Sequence, residues 1–193
     1  TVKVVDDSGN KYRFDDFGTS AVTLDLQEGG TYTFDSSDSS VSSHPFVIGT
    51  AANSSEYSTG VTYQLDGVSK TYSQYTSGFA TATTRKLIIT VAASAPALYY
   101  WCSNHSGMGG AINTNSLFGS SNFGGAVQSI ASTNDTAGFS IVTYTGTGST
   151  TTIGHGLSVA PACIWIKALN TGSEHHVMYH HGMGATKVIK IRE

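Results

Sequence analysis

The chain has 193 residues, of which 22 are glycine and only 3 proline, with 12% charged side chains and a formal net charge of -3. Such a length allows one large or two small domains, and the balance of residues excludes a helical bundle in favour of an all-β protein with many turns. Its 39% hydrophobic content excludes disorder, while the lack of a basic stripe, and of an apolar run near the about 20 residues that cross a bilayer, excludes nucleic acid and membrane from the expected partners.

Apolar residues alternate in short bursts along the chain, the period-two signal of half-buried strands. Val2 and Val4 open the series, Tyr12 and Phe14 follow, and then Val22, Leu24 and Leu26. Gly29 and Gly30 break the pattern, Tyr32 and Phe34 restart it, and Phe46 and Ile48 come after His44. Leu87, Ile89 and Val91, then Leu98, Tyr100 and Cys102, complete the set. Polar stretches at 35–43 and 51–60 separate these bursts. Short strands spaced by turns predict a sandwich or barrel, and no segment shows a helical period. Residues 1–114 are expected to form this first domain.

Residues 115–137 are rich in Asn, Ser and Gly and read as a linker or an ordered connecting arm. A second β module is expected over 138–193, with strands at 139–145, 150–153, 162–168, 175–180 and 186–191. Five strands with an abrupt end look like part of a module, completed by further chain or by neighbouring subunits. The absent initiator Met is expected to mark a processed chain or a portion of a longer product.

The segment from Tyr99 to Gly110 carries the most chemistry. Cys102, His105 and Met108 stand at C-x2-H-x2-M spacing, where an aromatic strand enters a Gly-rich turn. A thiolate, an imidazole and a thioether in one tight loop suit copper better than hard cations. A trigonal copper site needs a second imidazole from elsewhere, and His44, just before the Phe46–Ile48 segment, is the candidate. Zn2+ is the alternative ion, because it also accepts Cys and His. Cys163 lies far from Cys102, and spacing gives a disulfide between them no support.

Other signals are weaker. His175, His176, His180 and His181 form a cluster that is either a metal or pH-sensing site or a solvated strand; the second reading is preferred. Asp6-Asp7 and Asp15-Asp16 sit at expected turns, and Asp35 and Asp38 lack the oxygen cage that Ca2+ needs. Trp101 and Trp165 are expected in a core or an interface. No nucleophile elbow, H-E-x-x-H or phosphate-binding loop is present, so no enzymatic activity is expected.

The Cys102–Met108 loop resembles the C-terminal ligand loop of cupredoxins, with the shorter spacing of the amicyanin type. Residues 1–114 also resemble a cupredoxin-like module common in virion proteins of marine phages. The matching segments are Thr31–Asp35 (TYTFD), the Ser-rich run to His44-Pro45, Tyr57–Thr62 (YSTGVT) and Leu98–Gly110 (LYYWCSNHSGMGG). The resemblance implies a Greek-key β-sandwich with His44 and His105 as nitrogen ligands, Cys102 as thiolate and Met108 as axial thioether. One departure stands out: cupredoxins commonly use the backbone N–H after the first His as a donor to the cysteine sulfur, and Pro45 has none.

The second module resembles a repeated β module of marine phage tail or fibre proteins, through Gly138–Gly146 (GFSIVTYTG), His155-Gly156-Leu157, Ala160-Pro161 and Tyr179–Thr186. Together these resemblances imply a virion structural protein: a fibre, tail-associated or capsid-decorating component of an extracellular particle. Its expected partners are other virion proteins, further copies of itself as a homo-oligomer, and a host-surface receptor or glycan. The alternatives are an electron-transfer copper protein and an extracellular adhesin or glycan-binding protein.

Overall fold

The computed structural model describes residues 1–170 and 176–191. Its first strands are β1 (Val2–Asp6) and β2 (Asn10–Phe14), paired as an antiparallel hairpin from Val2↔Phe14 to Asp6↔Asn10. Next come β3 (Leu24–Gln27), β4 (Thr31–Asp35), β5 (Phe46–Ala51), β6 (Ser54–Glu56), β7 (Val61–Leu65) and β8 (Val68–Lys70). A short helix, α1 (Tyr72–Gly78), leads to β9 (Arg85–Thr90), β10 (Leu98–Cys102) and β11 (Gly110–Ser116).

These strands build two sheets, ordered β3-β11-β10-β5-β6 and β4-β9-β7-β8. All pairs are antiparallel except β3 with β11, which runs parallel. The expected alternation is clear in β9, where Arg85, Leu87 and Ile89 turn inward between half-exposed neighbours. Both sheets feed one core, which makes residues 1–114 an all-β sandwich. Leu24, Phe46, Ile48, Leu98, Tyr100 and Ile112 enter it from one sheet, and Phe34, Tyr63, Leu87 and Ile89 from the other.

An aromatic cluster forms part of this core. Phe46 stacks on Phe34 at 5.0 Å between ring centroids, and Tyr12 meets the Phe46 ring edge-on at 5.1 Å. Phe14 approaches Tyr100 edge-on at 5.1 Å. Each such pair adds roughly 0.5–1.5 kcal/mol beyond the area it buries. The hairpin β1–β2 is therefore part of the sandwich core rather than an appendage.

Helix α1 has no counterpart in the periodicity of the sequence. It is too short to show a period, and its capping box holds it. The Thr71 hydroxyl accepts from Gln74 N–H at 3.3 Å and the Gln74 side chain accepts from Thr71 N–H at 3.1 Å. Its inner face buries Tyr75.

Beyond the sandwich, the stretch 115–137 carries β12 (Ser120–Asn122) and β13 (Ser129–Asn134), which form a sheet with β14 (Phe139–Thr143). The strand expected at 150–153 is reduced to an isolated bridge from Ile153 to Val127. Three further strands, β15 (Cys163–Ile166), β16 (His176–His180) and β17 (Ile189–Ile191), make an antiparallel sheet. β15 and β17 are shorter than the sequence pattern implies.

The chain divides into two compact units: 1–133 with 140–156, and 134–139 with 157 onward. Among the described residues of the second unit none is buried, and all four residues of β15 are exposed. No helix among the described residues is long and apolar enough to cross a membrane.

Candidate metal centre

Strand register brings the candidate ligands together. β5 begins at Phe46, immediately after His44-Pro45, and β10 ends at Cys102. The antiparallel pairing of Cys102 with Phe46 sets the cysteine and His44 at one end of the sandwich. Ser103 N–H donates to the Pro45 carbonyl at 3.1 Å and extends this contact by one step. His44 arrives through a 3-10 turn, Ser39–Val41, capped by Asp38; its own N–H donates to the Val41 carbonyl at 2.8 Å.

The loop from Ser103 to Gly109 then folds back over the same end. Asn104 donates through its side-chain amide to the Ser43 carbonyl at 3.1 Å, and Gly107 N–H donates to Asn53 Oδ1 at 3.1 Å. Gly107 holds φ at +75°, a conformation that glycine adopts without cost. Gly109 is required for space: a Cβ there would sit 1.7 Å from the Tyr100 carbonyl oxygen.

Three donor atoms converge as a result. Cys102 Sγ lies 3.8 Å from His44 Nδ1 and 3.6 Å from His105 Nδ1, and the two Nδ1 atoms are 3.0 Å apart. All lie within 4.8 Å of one another. An ion in a trigonal plane, with bonds of about 2.0 Å to nitrogen and about 2.3 Å to sulfur, spaces its donors about 3.5 Å (N to N) and about 3.7 Å (N to S) apart. The sulfur distances match, and a small ring rotation opens the nitrogen pair. The residues fit a soft or borderline metal ion.

The two imidazoles differ in setting. His44 and Cys102 are buried and His105 is exposed. Burial, and then the neighbouring His105, hold the His44 imidazolium below its usual range, which favours the neutral ring that a metal needs. Met108, the fourth expected ligand, is buried at 1% exposure within the core cluster that contains Cys102 and Phe46. Sequence reasoning missed the contribution of β2. Tyr12 N–H donates to the Met108 carbonyl at 2.9 Å, and the Tyr12 hydroxyl donates to the His44 carbonyl at 2.8 Å. Nothing in the local sequence marks this role, since it depends on a hairpin folding against two distant loops.

The remaining candidates take structural places. Asp35 and Asp38 accept from the backbone N–H groups of Ser37 and Ser40 and so act as turn caps. Asp16 bonds Lys3, and Asp15 bonds the chain N-terminus. Cys102 and Cys163 are both free thiols. Trp101 is core, whereas Trp165 is 62% exposed, and its indole N–H donates to His176 Nδ1 at 2.8 Å.

His176 and His180 do share one face of β16. His181 lies in a turn, and His175 is outside the described residues. Cys163 stands directly opposite His180, a neighbour that the sequence did not reveal. Gly182 N–H donates to His180 Nδ1 at 3.2 Å, and the described residues there form no group of three ligands.

No curated protein matches the chain. Residues 114–193 match the model of a family described as a domain of unknown function (DUF7483). The match begins within β11 and takes in the stretch 115–137 together with the second module, so that it spans the chain beyond the metal-site loop.

Proposed function

We propose that the chain is a virion structural protein whose first domain is a cupredoxin-like module binding one copper ion through His44, Cys102, His105 and Met108. The observation that carries the metal reading is the convergence of two Nδ1 atoms and one thiol sulfur, delivered by strand register from positions 58 residues apart. A soft sulfur with two imidazoles favours copper, and Zn2+ is the competitor that the same donors admit. Bound copper would supply a one-electron couple. The chain's own residues supply a buried cysteine sulfur, a neutral His44 and an exposed His105.

The virion reading is supported by the four-segment resemblance of residues 1–114 and by the lack of any catalytic arrangement in the sequence. It also fits the second unit, whose apolar sheet needs other surfaces to cover it. In such a particle the ion would act as a clamp on the loop end of the sandwich. A ligand that binds only the folded chain stabilises it by about 2.7 kcal/mol when present at a hundredfold excess over its Kd.

Two experiments test the two halves. Incubation with Cu2+ followed by gel filtration and metal analysis should leave one copper per chain and a raised Tm, both lost in His44→Ala. Mass spectrometry of density-purified particles should find the chain at structural copy number. A stable monomer that never enters particles or filaments would remove the virion half. The exposure of His105 beside buried Cys102 favours one rival, an electron-transfer protein, which requires a reversible voltammetric wave. A protein that shows no such wave and assembles normally as Cys102→Ala would eliminate that rival.

A further inference from the structure

The metal ligands come from two segments far apart in sequence, and one residue touches the main chain of both. Tyr12 is fully buried in β2. Its N–H donates to the Met108 carbonyl at 2.9 Å, and its hydroxyl donates to the His44 carbonyl at 2.8 Å. Its own carbonyl accepts from Ala21 N–H at 2.8 Å, which anchors β2 in turn. The neighbours of Tyr12 add to this grip. Lys11 Nζ donates to the Gly107 carbonyl, and the Asn10 amide lies 3.4 Å from His44 Nε2.

We infer that Tyr12 is a positioning residue for the metal centre, holding the His44 and Met108 segments at a fixed separation from Cys102 before any ion arrives. This rests on reading the triad as a metal site. Pro45 gives the role weight: the residue directly after His44 has no N–H to donate, and the ladder with the Cys102 strand begins one residue later, at Phe46. At Pro45 the backbone accepts instead, from Ser103 N–H. The Tyr12 hydroxyl supplies a donor to the His44 carbonyl itself. Outer hydrogen bonds of this kind orient ligands and typically carry a 10–100-fold effect on metal affinity, by the general behaviour of such partners.

Tyr12→Phe removes the hydroxyl and keeps the ring in its aromatic cluster. Tyr100→Phe is the matched control: its hydroxyl, part-buried, also donates to a carbonyl, that of Val22 at 2.7 Å, which belongs to no ligand segment. Full-length chains carrying Cys163→Ser are titrated with Cu2+ against a chelator of known affinity. Without metal, they are also assayed for the rate at which a thiol reagent labels Cys102.

Tyr12→Phe should weaken Cu2+ binding roughly 10–100-fold, shift the thiolate-to-copper absorption band and speed Cys102 labelling. Tyr100→Phe should lose comparable thermal stability while leaving affinity and band position within error of the parent. If both variants bind Cu2+ like the parent, or if both weaken it equally, the positioning role is wrong and the metal site stands. If the parent binds no Cu2+ at all, the metal reading fails and takes this inference with it.

Discussion

Residue 45, directly after His44, is a proline and has no N–H to donate, and the consequence is local. The sulfur's close polar neighbours include the two imidazole Nδ1 atoms and the Tyr12 hydroxyl. A thiolate with fewer N–H donors keeps more of its charge for the ion. The triad of His44, Cys102 and His105 was legible because chemistry and spacing coincide: Cys102 and His105 fall within four consecutive positions, and His44 precedes a strand-like segment. Tyr12 was not legible, since its significance arises only when β2 docks against both ligand segments. Residue-scale electrostatics give a separate expectation at Asp66. The backbone N–H groups of Thr84 and Thr83, at 2.8 and 2.9 Å, hold its carboxyl below the usual carboxylate range, with Arg85 adding to the pull. A carboxyl depressed in the folded state contributes stability above its unfolded pKa, and that contribution disappears as pH falls through the folded value. The urea-midpoint gap between the parent and Asp66→Asn should therefore shrink from about pH 7 to about pH 3; a constant gap would show that Asp66 does not titrate with folding.

Strands were readable where one face is buried and one is not. β9 and β10 sit where Leu87, Ile89, Leu98 and Tyr100 mark them, because a half-buried strand forces alternation. Helix α1 escaped the same logic at seven residues. Its signal was instead a four-residue one, Thr71-x-x-Gln74, and Thr71→Ala should cost about 1 kcal/mol in equilibrium unfolding by loss of that cap. β12 and β13 were hidden in polar composition, since both pair mainly through backbone and bury little. The turn between β10 and β11 is the element most sensitive to sequence. A methyl at Gly109 collides with the Tyr100 carbonyl, so Gly109→Ala should cost about 1–3 kcal/mol through backbone displacement. The same variant should weaken metal binding, because Met108 and His105 ride on that turn. Unchanged stability would mean that the loop can re-form without the close approach.

For the whole molecule, the contrast between the two units is informative. The first has a closed core; the second, among its described residues, has a three-stranded sheet with nothing buried. Strand pairing aligns Trp165, Met178 and Ile189 on one face and Ile164, Ile166 and Val177 on the other. A sheet apolar on both faces holds its shape only when covered. We propose that the expected self-association uses this sheet, and sedimentation should then show oligomers that weaken in Trp165→Glu. A monodisperse monomer for the parent chain would contradict it.

We propose that His44, Cys102 and His105 form a preformed site for one soft metal ion. Visible titration of the reduced full-length Cys163→Ser chain with Cu2+ tests it most directly. An intense thiolate-to-copper band should appear, saturate at one equivalent and be abolished in Cys102→Ala. Absence of the band in the parent, or its survival without Cys102, would contradict it.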